Sequence, residues 1–295
     1  MPTSVSGRPS GNQTHLRRLV SLKNTFSKAN VLVIGNGFDL DLGLPTSYGH
    51  FLDSQQFQNE LNGSQLFKRL LKVRDRQRWV DIEEELANHS SSFSGDAESF
   101  HEEYRKLKDA LMDYISSIEY SEIRQNSKAA EVVRRIYASN DPMCVINFNY
   151  SDSLSYIDGL GTEFNHIRLH GSAKNQDIVF GVADSAQIKS DHIFLKKGAA
   201  KGLFREVFSH QIMNWCTGTV TFFGHSLGES DHTQFQDFFR EIQDSILACD
   251  PNVTVHYHNV DSYYRLLQQI DVMANGELQK FMIERQVKFE GPDLP

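Results

Sequence analysis

Apolar residues along this chain fall into short continuous runs that stop at glycine, asparagine or histidine. The first run is Val31-Leu-Val-Ile34, rich in β-branched residues and closed by Gly35. Such runs suit strands buried on both faces, as in a parallel sheet. They recur at Met143–Phe148, His166–Leu169, Ile178–Val182, Val220–Phe223 and Val253–Tyr257. Between several of them apolar positions return at helical spacing, notably over Gly202–Trp215, His232–Leu247 and Ser262–Val272. From about Gln55 to Ser139 the pattern is helical almost throughout. Phe67, Leu70 and Leu71, then Ile82 and Leu86, then Leu107, Leu111 and Ile115, then Val132, Val133 and Ile136 mark successive helix faces. This order predicts an α/β fold: a Rossmann-like, mainly parallel sheet with a helical insertion at about 55–139 after the first strand. Residues 29–295 read as a single domain. Residues 1–28 are polar, with five Lys/Arg, and read as a flexible arm or a short helix around Leu16–Phe26.

Ligands of such sheets bind beyond the carboxyl ends of the strands. Four polar or glycine clusters lie where strands are predicted to stop: Gly35, Asn149, His170 and Gly224. The coincidence of four carries more weight than any one of them.

Composition narrows the function classes. The chain has 295 residues, 39% hydrophobic and 23% charged, with a net charge of −8. An acidic balance argues against a broad nucleic-acid surface, which needs excess Lys and Arg. It does not oppose a small anionic ligand, because backbone amides at a helix start can hold a phosphate. No stretch approaches the ~20 apolar residues of a membrane span, and residues 1–28 lack the apolar segment of a signal peptide. Cys144, Cys216 and Cys249 are dispersed and form no CxxC pair, so reduced cysteines in a cytoplasmic protein are expected.

Each cluster has a chemical reading and a structural one. Gly35-Asn36-Gly37-Phe38-Asp39, followed by Gly43-Leu44-Pro45-Thr46-Ser47-Tyr48, either lets a phosphate approach the backbone or is a tight strand-to-helix turn. It is neither the G-x-G-x-x-G pattern nor a P-loop. Asn147 and Asn149 share one side of a strand, where polar groups are costly unless paired or bound, and Ser151-x-x-Leu154 fits a helix cap. His170 is a structural histidine or a proton-transfer group, with Gly171 leaving room for a substrate. Gly224-His225-Ser226 opens a loop in which Asp231 is an N-cap or a site carboxylate. His225 and His232 are seven apart, wrong for a zincin pair, and no metal ligand set is expected. Asp39 would repel a phosphate and suits a ribose hydroxyl or a developing cation. Asp81 and Glu83, beside Trp79, read as a solvated helix face next to a core tryptophan.

The segments VIGNGFDLDLGLPTSYGHFL, WVDIEEEL, INFNYSDSL, RLHGS, VFGVADS and FFGHSLGESDH resemble the AbiH family of bacterial abortive-infection (anti-phage) proteins, from residue 31 to about 240. Their order is also similar to a sirtuin-type nucleotide-binding fold, with Gly35-Asn36-Gly37 and Gly43-Leu44-Pro45 matching the first loop, Asn149 the asparagine, His170 the histidine and Gly224-His225-Ser226 the last loop. Ser151 and Asp39 depart from the sirtuin pattern, and the zinc-binding cysteine set is missing. The resemblance implies an enzyme hydrolysing the nicotinamide–ribose bond of NAD as substrate, with no bound cofactor. It implies His170, Asn149, Asp39 and Asp231 as catalytic residues. Gly35, Asn36, Gly37, Phe38, Pro45, Thr46, Ser47, Tyr48, Gly171, Gly224, His225 and Ser226 would hold the nucleotide. A metal-dependent nucleotide or nucleic-acid hydrolase, or a non-catalytic nucleotide sensor acting through a partner protein or as a homo-oligomer, are the alternatives.

Overall fold

The computed structural model describes residues 29–75, 81–197, 217–228, 231, 235–236, 238–239, 252–284 and 287–292. Six parallel strands form one open sheet: β1 (Ala29–Ile34), β2 (Met143–Asn147), β3 (Asn165–Arg168), β4 (Thr217–Phe223), β5 (Asn252–His256) and β6 (Lys288–Glu290). Their order, β3-β2-β1-β4-β5-β6, is that of the doubly wound Rossmann-like sheet. β1 lies at the centre, paired with β2 on one side and β4 on the other, and all six of its residues are buried.

Two hydrophobic cores explain the continuous apolar runs. On β1, Leu32 and Ile34 point into the core beneath the helical insertion, while Val31 and Val33 point into the opposite one. On β2, Met143 and Val145 alternate in the same way with Cys144 and Ile146. The second core is aromatic, with Phe222 of β4 packed on Phe235, Phe238 and Phe239. Helix Val260–Met273 adds Leu266, Ile270 and Met273 to it.

The helical stretch begins earlier than the expected residue 55. Two short helices, α1 (Asn36–Asp41) and α2 (Tyr48–Leu52), precede α3 (Gln55–Leu61), α4 (Gln65–Arg74), α5 (Ile82–Ser92), α6 (Ala97–Ser116) and α7 (Lys128–Tyr137). Helix Val260–Met273 is α8 and Leu278–Glu284 is α9. From α2 to α7 each start is set by a side-chain cap: Ser47, Ser54, Ser64, Asp81, Asp96 and Ser127 accept from backbone amides of the first turn.

The expected strand Ile178–Val182 is not a strand. Ile178, Phe180 and Val182 are buried, which produced the apolar signal, but the segment makes only an isolated bridge, Val182 to Lys196. Two of its carbonyls accept from side chains: Tyr104 donates to Phe180 O at 2.6 Å and Tyr150 to Val179 O at 3.3 Å. β6, three residues long, was too short to leave a pattern. Leu16–Phe26, Gly202–Trp215, Trp79, Cys216, Cys249 and most of His232–Leu247 lie outside the described residues. Among the described residues no helix is long and apolar enough to cross a membrane.

β1 and β4 stay paired to their carboxyl ends, and the turns that follow touch backbone to backbone. Gly37 N donates to Gly224 O at 2.8 Å and Gly35 N to Phe223 O at 3.2 Å. Gly224 has φ +68, and a Cβ there would lie 2.0 Å from Phe38 N. Gly224→Ala therefore meets both backbone strain and a clash, whereas Gly63→Ala, at φ +86 with nothing within 4 Å, meets strain alone. We expect Gly63→Ala to cost roughly 1–2 kcal/mol and Gly224→Ala clearly more, read by urea denaturation. Equal losses would show that the two turns have room to separate.

Candidate functional site

A cavity of about 200 Å³ opens at the carboxyl ends of β1 and β4, the point at which this sheet order binds ligands. One wall comes from the strand ends: Gly35–Gly37 and Asp39, Phe148–Ser151, His170, Gly224–Ser226 and Asp231. The other comes from the helical segments: Thr46 and Tyr48, Asp81 and Glu83 at the start of α5, Leu111 and Ile115 of α6, and Lys197.

A chain of hydrogen bonds ties the loop after β2 to the turn after β1. Asn147 Oδ1 accepts from Asn149 N at 2.8 Å, and Asn147 Nδ2 meets His166 Nε2 at 3.1 Å. Burial pulls His166 down to about 4, helped by Arg168, so its ring is neutral and can accept. Asn149 Nδ2 donates to Gly35 O at 3.0 Å. Ser151 and Ser153 donate to the two oxygens of Asp39 at 2.5 and 2.6 Å. Asp39 is fully buried, and burial pushes its carboxyl up to about 6 against the pull of these donors and of Arg168. Ser151 thus binds Asp39 and does not cap the 3-10 segment Ser153–Tyr156, whose first residue is preceded by Asp152 without a side-chain cap bond.

The remaining predicted residues divide. His170 is half-buried, edge-on to Phe148 at 5.3 Å and tilted against Tyr150 at 6.1 Å. His225 is buried, packs against the same Phe148 at 4.2 Å, and accepts from Leu227 N through Nδ1 at 3.0 Å. Its Nε2 lies 3.6 Å from Asp231, and burial lowers its basicity. Asn36 and Thr46 bond to each other on the wall at 2.6 Å. Four predicted residues lie off the wall. Phe38 is a core residue set edge-on against Phe223. Pro45 accepts from the Tyr114 hydroxyl, and Ser47 caps α2. Gly171 makes room for Asp177, whose carbonyl oxygen would lie 2.2 Å from a Cβ.

The glycines of the first turn also have a structural cause. Gly35 N, Gly37 N and Phe38 N all donate to backbone carbonyls, and a Cβ at Gly37 would lie 2.7 Å from Gly224 Cα. The turn is closed by its neighbour, and those three amides are not offered to a phosphate.

Sequence patterns missed the opposite wall. Glu83 is no solvated residue: its two carboxylate oxygens each sit 2.6 Å from Lys197 Nζ. Lys197 is only 4% exposed. Burial pushes Glu83 up to about 7 against the attraction of Lys197, with Asp231 and Asp81 adding to the rise. Lys197 stays protonated, since Glu83 and Asp231 outweigh the burial that opposes its charge. The segment 178–182 places this lysine, because Lys197 N donates to Val182 O at 3.2 Å. Among the described residues no group of three or more His, Cys, Asp or Glu is gathered as a metal ligand set.

The Asp39 carboxyl, at about 6 in the folded chain against 3.8 ordinarily, holds its proton more tightly folded than unfolded. Stability from this group is therefore full below pH 4 and falls as pH rises towards 6. We expect wild type to lose about 3 kcal/mol relative to Asp39→Asn across that window, and nothing further above it. Urea denaturation from pH 4 to 7 measures this; a pH-independent difference would mean that Asp39 titrates normally.

No curated protein matches this chain. A family match spans residues 31–249, well over half of the chain, and carries the description bacteriophage abortive infection AbiH. It covers β1 from Val31 onward, α1 to α7, β2, β3, β4 and every residue of the cavity wall. The chain belongs to the AbiH family, and with it to the proteins of anti-phage abortive infection.

Proposed function

We propose that this protein hydrolyses the nicotinamide–ribose bond of NAD. The observation that carries the reading is the cavity at the carboxyl ends of β1 and β4, which Asn149 and His170 line together with carboxylates and aromatic side chains. The similarity of the motif order to sirtuin-type NAD sites adds to it.

The chemistry asks little of an acid. The glycosidic electron pair leaves with nicotinamide, which departs neutral, and positive charge develops at the ribose carbon. Water then adds its oxygen to that carbon and loses a proton, giving ADP-ribose and free nicotinamide. The enzyme mainly positions the ribose and stabilises the cation. On this reading His170 takes the proton from water. Asn149 spends its Nδ2 on Gly35 O and offers its oxygen to a ribose hydroxyl or the water. Both oxygens of Asp39 are held by serine hydroxyls, so Asp39 positions the Asn149 loop. Asp231, buried beside His225, supplies the negative field. Phosphates lie towards Ser226, which is exposed.

The test is incubation of purified protein with NAD, with nicotinamide release followed by chromatography. Wild type should release nicotinamide, with a rate unchanged by chelator. His170→Ala and Asn149→Ala should each lose roughly 100-fold or more while keeping the wild-type thermal transition. Turnover by a folded His170→Ala protein at the wild-type rate would remove the histidine from the chemistry. Absence of release by wild type would turn attention to other nucleotides.

A further inference from the structure

The cavity is unusual in its charge. Among the described residues that line it, Asp39, Asp81, Glu83 and Asp231 face a single ammonium, Lys197. A site made for phosphates would show the reverse balance. The volume points the same way: about 200 Å³ lies below the ~300–1,000 Å³ of sites that enclose a whole drug-sized ligand. It suits one end of a dinucleotide better than the whole, and the aromatic residues Tyr48, Phe148 and Tyr150 are part of its lining.

Lys197 and Glu83 are joined as an ion pair on the helical wall, 114 residues apart in sequence. The charge of Asp231, on the strand-end wall, acts on both of them. A bidentate ammonium would ordinarily hold a carboxyl low. Burial instead holds Glu83 near 7, and Asp231 and Asp81 deepen the effect. Among the described residues, Glu83, Asp81 and Asp231 thus share the lining with one ammonium.

We propose that Glu83, carried into the site by the helical insertion, is a substrate-contacting residue that acts with Asp231 across the cavity to select a cationic ring, the N-glycosidically bound pyridinium, over its neutral reduced form. The choice of ring rests on the glycohydrolase reading; the selection for positive charge rests on the cavity alone. A cation entering between the two walls gains from both carboxylates in a water-poor space, where such attractions are strong. The reduced ring has the same shape and gains nothing. Lys197 fixes the Glu83 carboxylate and keeps the vacant site from carrying a wholly unbalanced charge.

The probes are nicotinamide riboside and its dihydro form, which carry no phosphate, titrated into the full chain by calorimetry. Wild type should bind the oxidised form roughly tenfold more tightly or better. Glu83→Gln should lose most of that preference and Glu83→Asp, which keeps the charge, should retain it. Should Glu83→Gln fail to fold, Asp231→Asn on the opposite wall tests the same field and should lose the preference as well. Equal affinity for the two forms, binding of neither, or an unchanged preference in both Glu83→Gln and Asp231→Asn would overturn the proposal. The two readings fail separately. Selective binding of the oxidised form without nicotinamide release leaves charge selection standing and removes the glycohydrolase; nicotinamide release with equal affinities does the opposite.

Discussion

Gly37 and Gly224 come into backbone contact at the carboxyl edge of the sheet, and the geometry of everything around the cavity follows from that approach. β1 and β4 are hydrogen-bonded neighbours, so their following turns must either collide or interlock. They interlock, with Gly37 N donating to Gly224 O, because neither position carries a Cβ. α1 is then aimed away from the sheet, Asp39 is carried into the interior, and the serines after β2 close on its two oxygens. Asn149 is held against Gly35 O by the same arrangement. The polar groups of the strand-end wall are thus fixed by one another and by the crossing of two turns, a form of preorganisation that needs no ligand to set it.

The sheet could be read from sequence because its central strands are buried on both faces. Continuous apolar runs that stop abruptly at Gly35, Asn149, His170 and Gly224 leave few alternatives to parallel strands with polar ends. The same signal misled at Ile178–Val182. Apolar spacing there records burial, and a buried segment can satisfy its carbonyls with tyrosine hydroxyls as well as with a ladder. Gly35 and Gly37 were legible as a special turn but not in their cause, since the contact with Gly224 joins positions nearly two hundred residues apart. The four clusters do meet in space, at one cavity, while Phe38, Pro45, Ser47 and Gly171 serve the frame around it.

Glu83 and Lys197 show where sequence patterns run out. A glutamate in the run Glu83-Glu84-Glu85 looks like a solvated helix face, and Lys197 beside Lys196 looks like any surface pair. Nothing local tells that Lys197 is buried or that Glu83 is the residue it meets. Their meaning is pairwise: each charge is tolerable inside only because the other is there, and removing one partner of such a pair typically costs about 3–5 kcal/mol. The helical insertion that brings Glu83 in is accordingly part of the site and not an appendage to it.

The position of β1 has a further consequence, for the time at which the site comes into being. Ile34 pairs with Asn147 on one edge and with Phe223 on the other, so the first strand made waits for partners that emerge 113 and 189 residues later. At a synthesis rate of about 5–20 residues per second, the second partner leaves the ribosome on the order of ten seconds or more after the first strand. Until then β1 has one bare hydrogen-bonding edge and Gly37 has no turn to lock into. The cavity cannot exist on a nascent or truncated chain that stops before Gly224. A chain that stops before Gly224 thus lacks part of the cavity lining and leaves one edge of its central strand without its partner.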